Sequence, residues 1–189
     1  MKALPPPRDT SRQQGVTLLE LIVTISILTI ILSVAIPSFR EIIATNRIAV
    51  INNDLLEALH VARSEAIKRG TRVTVCKSTT TSSSSPACAT GDPGWESGWI
   101  IFSDRGTRGQ IDGNDQVIIV HEQNIPAVTI TTGNSFKDFI SYLPSGFSQG
   151  SSGLSSGTFS VNLQDKARHL IISASGRIRT CSETNKDDC

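Results

Sequence analysis

Few residues in this chain have the type and spacing to do chemistry. Glu20 is the single charge in the apolar run that begins Val16-Thr17-Leu18-Leu19-Glu20-Leu21-Ile22-Val23 and continues to Ile36. An unpaired carboxylate inside a membrane helix costs about 2.5–3.5 kcal/mol even on lenient insertion scales. Glu20 must therefore either lie close enough to the membrane edge to be solvated or meet a cation at the same depth. Gly146-Phe147-Ser148-Gln149-Gly150 fits the G-x-S-x-G pattern of a nucleophilic serine, and Asp165 and His169 follow in hydrolase order. That chemistry needs a helix directly after the serine. Ser151-Ser152-Gly153-Leu154-Ser155-Ser156-Gly157 is a poor helix former, so no catalytic residue is assigned. Asp104, Asp112 and Asp115 could offer oxygens to calcium, but Gly106 and Arg108 stand at ligand positions of a loop begun at Asp104. Val117 stands where a loop begun at Asp112 needs glycine. A solvated hairpin is the reading, no metal or cofactor is expected, and His60 and His121 have no neighbouring pattern to recruit them.

The segment Gly176-Arg177-Ile178-Arg179 offers more. In an extended chain Arg177 and Arg179 project from one face and Ile178 from the other. Lys166, Arg168 and His169 precede them, and residues 166–180 contain no acid. Two adjacent guanidinium groups can grip phosphates by charge-assisted hydrogen bonds, or can simply be a solvated strand face. The cysteines, Cys76, Cys88, Cys181 and Cys189, form no C-x-x-C pair, which favours disulfides over zinc. Four cysteines allow three connectivities. Cys76–Cys88 with Cys181–Cys189 orders the least chain, and the crossed pairings stay open.

These groups sit on a chain of 189 residues that is 38% hydrophobic, enough for one domain with an appendage. A net charge of +1 excludes a generally basic nucleic-acid binder, so a charged partner must be met by a local patch. Residues 1–15 carry Lys2, Arg8 and Arg12 against Asp9 and have no apolar run, unlike a secretory signal. Residues 16–36 would form a helix of about 31 Å, the thickness of bilayer hydrocarbon. The basic leader keeps the N-terminus cytoplasmic and delivers everything after Pro37, cysteines included, to the opposite side. Ser38-Phe39-Arg40-Glu41 fits a helix-capping pattern, so the helix either restarts after Pro37 or passes through it with a kink. Ile48, Ile51, Leu55, Leu59, Ala62 and Ala66 then recur at helical spacing, with Arg47, Asp54, Glu57, Arg63 and Lys68 on other faces, until Gly70. This amphipathic half, residues 38–69, should pack on a sheet. From residue 71 to 189 seven strand-like runs alternate with turns: 72–76, 98–102, 116–121, 128–132, 141–143, 158–162 and 168–174.

Gly15-Val16-Thr17-Leu18-Leu19-Glu20, behind a basic leader and with Pro37 further along, resembles the processing motif of type IV pilins and pseudopilins. The resemblance implies that a membrane prepilin peptidase removes residues 1–15 by cutting between Gly15 and Val16, and methylates the new amine. It also implies that Glu20 meets such an amine when subunits dock into a filament through their N-terminal helices. Val16 stands where the family usually has phenylalanine. Loss of the leader would shift the net charge from +1 to −1. Two further stretches resemble the GspH/FimT branch: Ala62 to Gly70 leading into Val73-Thr74-Val75-Cys76, and the W-x-x-G-W-x-x-F-x-D pattern of Trp95, Gly98, Trp99, Phe102 and Asp104. FimT minor pilins associated with natural transformation carry a G-R-x-R motif that contacts DNA, and Gly176, Arg177 and Arg179 match it. Lys166 and Arg168 would support that contact. The expectation is an α+β, type IV pilin-like protein: a long helix over 16–70, membrane-spanning in its first half, packed on an antiparallel β-rich head. It would be no enzyme, anchored in the bacterial inner membrane with a periplasmic head, and partnered by other pilins, the prepilin peptidase and double-stranded DNA. The alternative is a structural H-type pseudopilin of type II secretion, or a FimU-like priming pilin.

Overall fold

The computed structural model describes residues 15–92, 94–122 and 126–182. The leader residues Lys2, Arg8 and Arg12, and Cys189, lie outside the described residues. The chain divides into two units, before and after the Ile42–Ile43 bond. One helix, α1 (Leu18–Arg69), contributes to both.

In the first unit, α1 opens on Thr17, whose Oγ1 accepts the Glu20 amide at 3.2 Å. This places Glu20 in the first turn, at the positive end of the helix dipole. An 18-residue window of α1 near the N-terminus has a mean hydropathy of 2.5, long and apolar enough to cross a membrane, and none of it is buried within the protein. Its hydroxyls satisfy themselves on the helix. Thr24 donates to the Leu21 carbonyl, Ser26 to Ile22, Thr29 to Ile25 and Ser33 to Ile30, at 2.7–2.8 Å. Bonding of this kind lets a hydroxyl sit in an apolar medium without an orphan donor. Pro37 lies inside the helix rather than at a break, so Ser38 is an interior residue and not the cap its S-x-x-E pattern suggests.

In the second unit, the later half of α1 buries Ala44, Ile48, Ile51, Asn52, Leu55, Ala58, Leu59, Ala62 and Ala66. Their spacing makes a single apolar stripe, and its four alanines let a sheet approach the helix closely. The head carries nine strands: β1 (Val73–Lys77), β2 (Gly98–Ser103), β3 (Gln116–Glu122), β4 (Thr129–Thr132), β5 (Phe139–Tyr142), β6 (Ser148–Gly150), β7 (Gly157–Leu163), β8 (Lys166–Ile172) and β9 (Ile178–Ser182). They form two antiparallel sheets, ordered β3-β2-β1-β5-β6 and β4-β7-β8-β9. The seven sequence-predicted runs omit β6 and β9, which are short or rich in polar residues and lack the alternation that marks a strand.

Both sheets contribute to one core around the helix: Val73, Val75, Trp99, Ile101, Ile140 and Tyr142 from the first, Ile130, Phe159, Val161, Leu163, Leu170 and Ile172 from the second. Trp95 meets Phe159 edge-on at 4.9 Å and donates its indole N–H to the Phe136 carbonyl at 3.1 Å. On the far face of the first sheet Cys76, Ile100 and Phe102 form a smaller cluster with Phe139 and Cys88. Cys76 and Cys88 are joined by a disulfide. Every residue of both clusters lies at or beyond Ala44, so the head owns its core and can fold without the apolar first unit.

Candidate functional site

The Gly176-Arg177-Ile178-Arg179 segment leads from a tight turn into β9. Ser173 N–H donates to the Arg177 carbonyl at 3.0 Å and Gly176 N–H to the Ser173 carbonyl at 2.8 Å. Together they close a three-residue hairpin loop between β8 and β9. Gly176 occupies its left-handed position, with φ +75°. Leu143 and Phe147, joined at 2.9 Å, close a twin loop between β5 and β6 with Gly146 at φ +81°. The two turns are pressed together: a Cβ on Gly176 would lie 2.1 Å from the Gly146 carbonyl oxygen. Glycine begins the G-R-x-R segment for both reasons, backbone angle and lack of room.

Arg63 locks the pair. From α1 its Nε donates to the Gly146 carbonyl at 3.1 Å and its Nη2 to the Ser175 carbonyl at 2.9 Å. Ser148 adds a second fastening, its one hydroxyl proton shared between the Ser155 carbonyl at 2.6 Å and the Ser173 carbonyl at 2.9 Å. Ser148 is 2% exposed and lies on a strand, without a following helix. His169, the would-be base of a hydrolase, instead bonds Ser160 through Nδ1 at 2.9 Å. Beneath the turns Tyr142 is buried, which pushes its phenol well above the ordinary range while the Arg63 charge pulls the other way. Its hydroxyl has no hydrogen-bond partner among the described residues. Sequence reading placed Arg63 merely off the apolar stripe and missed this role. The available signals were its position beside core residue Ala62 and the twin Ser-Gly pairs, Ser145-Gly146 and Ser175-Gly176, 30 residues apart.

Strand register decides which cations share a face. Arg179 pairs with Ile171, and His169 with both Ser160 and Cys181. Leu170 and Ile172 enter the core, so the alternate positions Ala167, His169 and Ile171 face outward, and Arg179 with them. Arg177 and Arg179 are both exposed, while Ile178 packs against the core. Lys166 and Arg168 belong to the opposite face, where they pair with Leu163 and Val161, and Lys166 Nζ donates to Thr45 Oγ1 at 2.8 Å. The structure therefore does not bring Lys166 and Arg168 to the arginines. They stand two, four or six positions from Leu170 and Ile172 on the same strand, and this even offset turns them toward the helix. They line a cavity of about 330 Å³ with Thr45, Ile48, Asp165 and Ser182.

The remaining sequence candidates fill structural posts. Asp104 is buried and accepts bonds from Arg72, from Thr74 Oγ1 at 2.6 Å and from the Gly109 amide at 2.8 Å. Asp112 and Asp115 spend their carboxylates on the amides of Thr107, Arg105 and Asp112 itself, at 2.7–3.1 Å. These oxygens close the hairpin instead of converging on a cation. His121, which sequence reading left without a partner, stacks on Trp99 at 4.3 Å and lies 3.8 Å from Asp54. Cys181 is buried on β9, and the Cys189 expected to bridge it falls outside the described residues.

An apolar N-terminal helix that continues into a head of antiparallel sheets is the build of type IV pilins. The family model of type II transport protein GspH matches residues 52–176, and that of the prokaryotic N-terminal methylation motif matches residues 10–36. The chain belongs to the GspH family and is a minor pilin or pseudopilin of GspH/FimT type. Among solved structures, two crystal forms of the type IV minor pilin FimU of Pseudomonas aeruginosa are similar. One is 18% identical over 68% of this chain and 88% of that chain; the other is 17% identical over 71% and 87%. Both give a TM-score of 0.50, a likeness of fold. No curated protein matches the chain. Membership makes the chain a membrane-anchored pilus component that assembles with other pilins, a structural protein and not an enzyme.

Proposed function

We propose that this minor pilin is a FimT-like subunit whose periplasmic head binds DNA during uptake, with Arg177 and Arg179 holding backbone phosphates. The observation that carries this reading is the arginine hairpin: two exposed guanidinium groups on one strand face, held by a turn that Gly176, Gly146 and Arg63 fix in place. A chain so close to neutral cannot bind DNA by overall charge, so binding would depend on this local cluster. The same proposal includes cleavage between Gly15 and Val16, an inner-membrane anchor over residues 16–36, and docking of Glu20 on the amine of a neighbouring subunit. Pro37 would lie at the periplasmic end of that anchor.

A gel-shift titration of the soluble head, residues 44–189, with double-stranded DNA at two salt concentrations tests the reading. Phosphate contacts release counterions, so affinity should fall steeply with salt, and each arginine removed should lower the log–log slope by about 1. Arg177→Gln with Arg179→Gln should nearly abolish binding while circular dichroism shows a folded head. Equal binding by the double variant, or none by the wild type at low salt, would give the role to a structural pseudopilin or FimU-like priming subunit.

A further inference from the structure

Phe147 is 51% exposed, although its chain neighbours Gly146 and Ser148 are buried. A single exposed apolar residue is common on a protein surface, and it is the placement of this one that matters. The segment around it runs antiparallel to the arginine turn: Gly146 abuts Gly176, and the Ser148 N–H donates to the Ala174 carbonyl at 3.2 Å. Phe147 therefore stands opposite Ser175, with Arg177 two positions further along that segment. Residues so related on paired strands lie about 7–8 Å apart. Ser148 turns inward onto the Ser155 and Ser173 carbonyls, which sends the preceding side chain outward. Beside it Ile67 of α1, 53% exposed, reaches to 3.2 Å from where a Cβ on Gly146 would stand. Apolar surface thus adjoins an exposed guanidinium on turns that Arg63 braces.

We infer that Phe147 is a stacking platform for an unpaired base, so that the arginine turn prefers DNA with unpaired bases over closed duplex. This rests on the DNA reading above and deepens it by naming the form of DNA the site takes. Sites for single strands combine cations that follow the backbone with aromatic rings on which bases stack whatever their identity. Arg177 is the cation next to this ring. In a closed duplex each base is stacked on both faces and offers none to Phe147, whereas an unpaired base offers one. Because the turn is fixed before the ligand arrives, binding does not carry the cost of ordering it. The ring adds affinity without adding charge, so its contribution should persist at salt concentrations that weaken the phosphate contacts.

The test is binding of the head, residues 44–189, to a single-stranded oligonucleotide and to a covalently closed duplex circle, each across a salt series. Phe147→Ala should weaken the single strand about fivefold or more, leave the closed duplex unchanged and leave both salt slopes as they were. Arg177→Gln should weaken both ligands and lower the single-strand slope by about 0.7. Phe147→Trp should keep single-strand affinity, and its fluorescence should be quenched by the single strand and not by the circle. Trp95 and Trp99 are buried, so the new indole is the one that reports. If Phe147→Ala binds the single strand as wild type does, or loses the two ligands equally, the stacking role is overturned, while Arg177-dependent binding of the circle keeps the DNA reading standing. If the wild-type head binds neither ligand at low salt, both fall together.

Discussion

Replacing Gly176 with alanine tests whether the arginine turn is held by contact or by backbone angle alone. Gly153 supplies the internal control, because it too has a left-handed φ, +87°, but nothing lies within 4 Å of where its Cβ would stand. Gly153→Ala should therefore cost only the left-handed penalty, about 1–2 kcal/mol. At Gly176 the same penalty applies, and the new Cβ would also lie 2.1 Å from the Gly146 oxygen. The two turns must part, and Arg63 then loses its simultaneous hold on Gly146 and Ser175. Two bonds from a half-exposed guanidinium add about 1 kcal/mol each, for a total of about 3–4 kcal/mol. For a head of this size that is a drop in Tm of about 6–16 °C, against about 2–8 °C for the control. Parallel thermal and urea melts of the two variants in residues 44–189 decide the matter. Equal losses at the two sites would refute the idea that the turns brace one another.

Four other outcomes are expected. Gly15→Val should leave the precursor uncut, and mass spectrometry of membrane-extracted wild type should find Val16 at the N-terminus; an N-terminus still at Met1 counts against processing. Glu20→Ala should insert normally, since it removes the charge from the apolar span, yet be missing from purified filaments; incorporation at wild-type level would sink the amine-pairing idea. Tyr142→Phe deletes a buried hydroxyl without a partner among the described residues and should stabilise the head by about 1 kcal/mol, read from the urea midpoint, whereas a loss would reveal a partner for that hydroxyl. Cys76→Ala with Cys88→Ala opens a loop of twelve-residue separation and should cost about 3 kcal/mol, also read by urea, with binding by Arg177 and Arg179 unchanged.

The parts of the fold most legible in sequence were those governed by local periodicity. The stripe of Ile48, Ile51, Leu55 and Leu59 and the strands around Val75 and Ile100 announce themselves because their apolar spacing matches the helix or strand repeat. Strand β6 did not, because Ser148-Gln149-Gly150 carries no apolar alternation and is buried through its hydroxyl bonds. Face assignment on β8 also escaped sequence reading. Lys166, Arg168 and His169 look like one basic cluster on paper, yet the pleat sends the first two to the helix side and the third outward. Arg63 was hidden for a different reason: its partners lie 83 and 112 residues away, and the acceptors are backbone carbonyls that leave no trace in residue type.

The position of Arg179 at the edge of its sheet has a consequence for solubility. Among the described residues, strand β9 has β8 on one side and no strand on the other, and an open edge is a template for pairing with another chain. Arg177 and Arg179 place two positive charges along that edge, so two heads approaching edge to edge would bring four guanidinium groups together. Charges so placed would oppose edge-to-edge pairing of two heads in a protein that assembles with other pilins. The double glutamine variant would lose those charges, and light scattering distinguishes aggregation from loss of DNA binding.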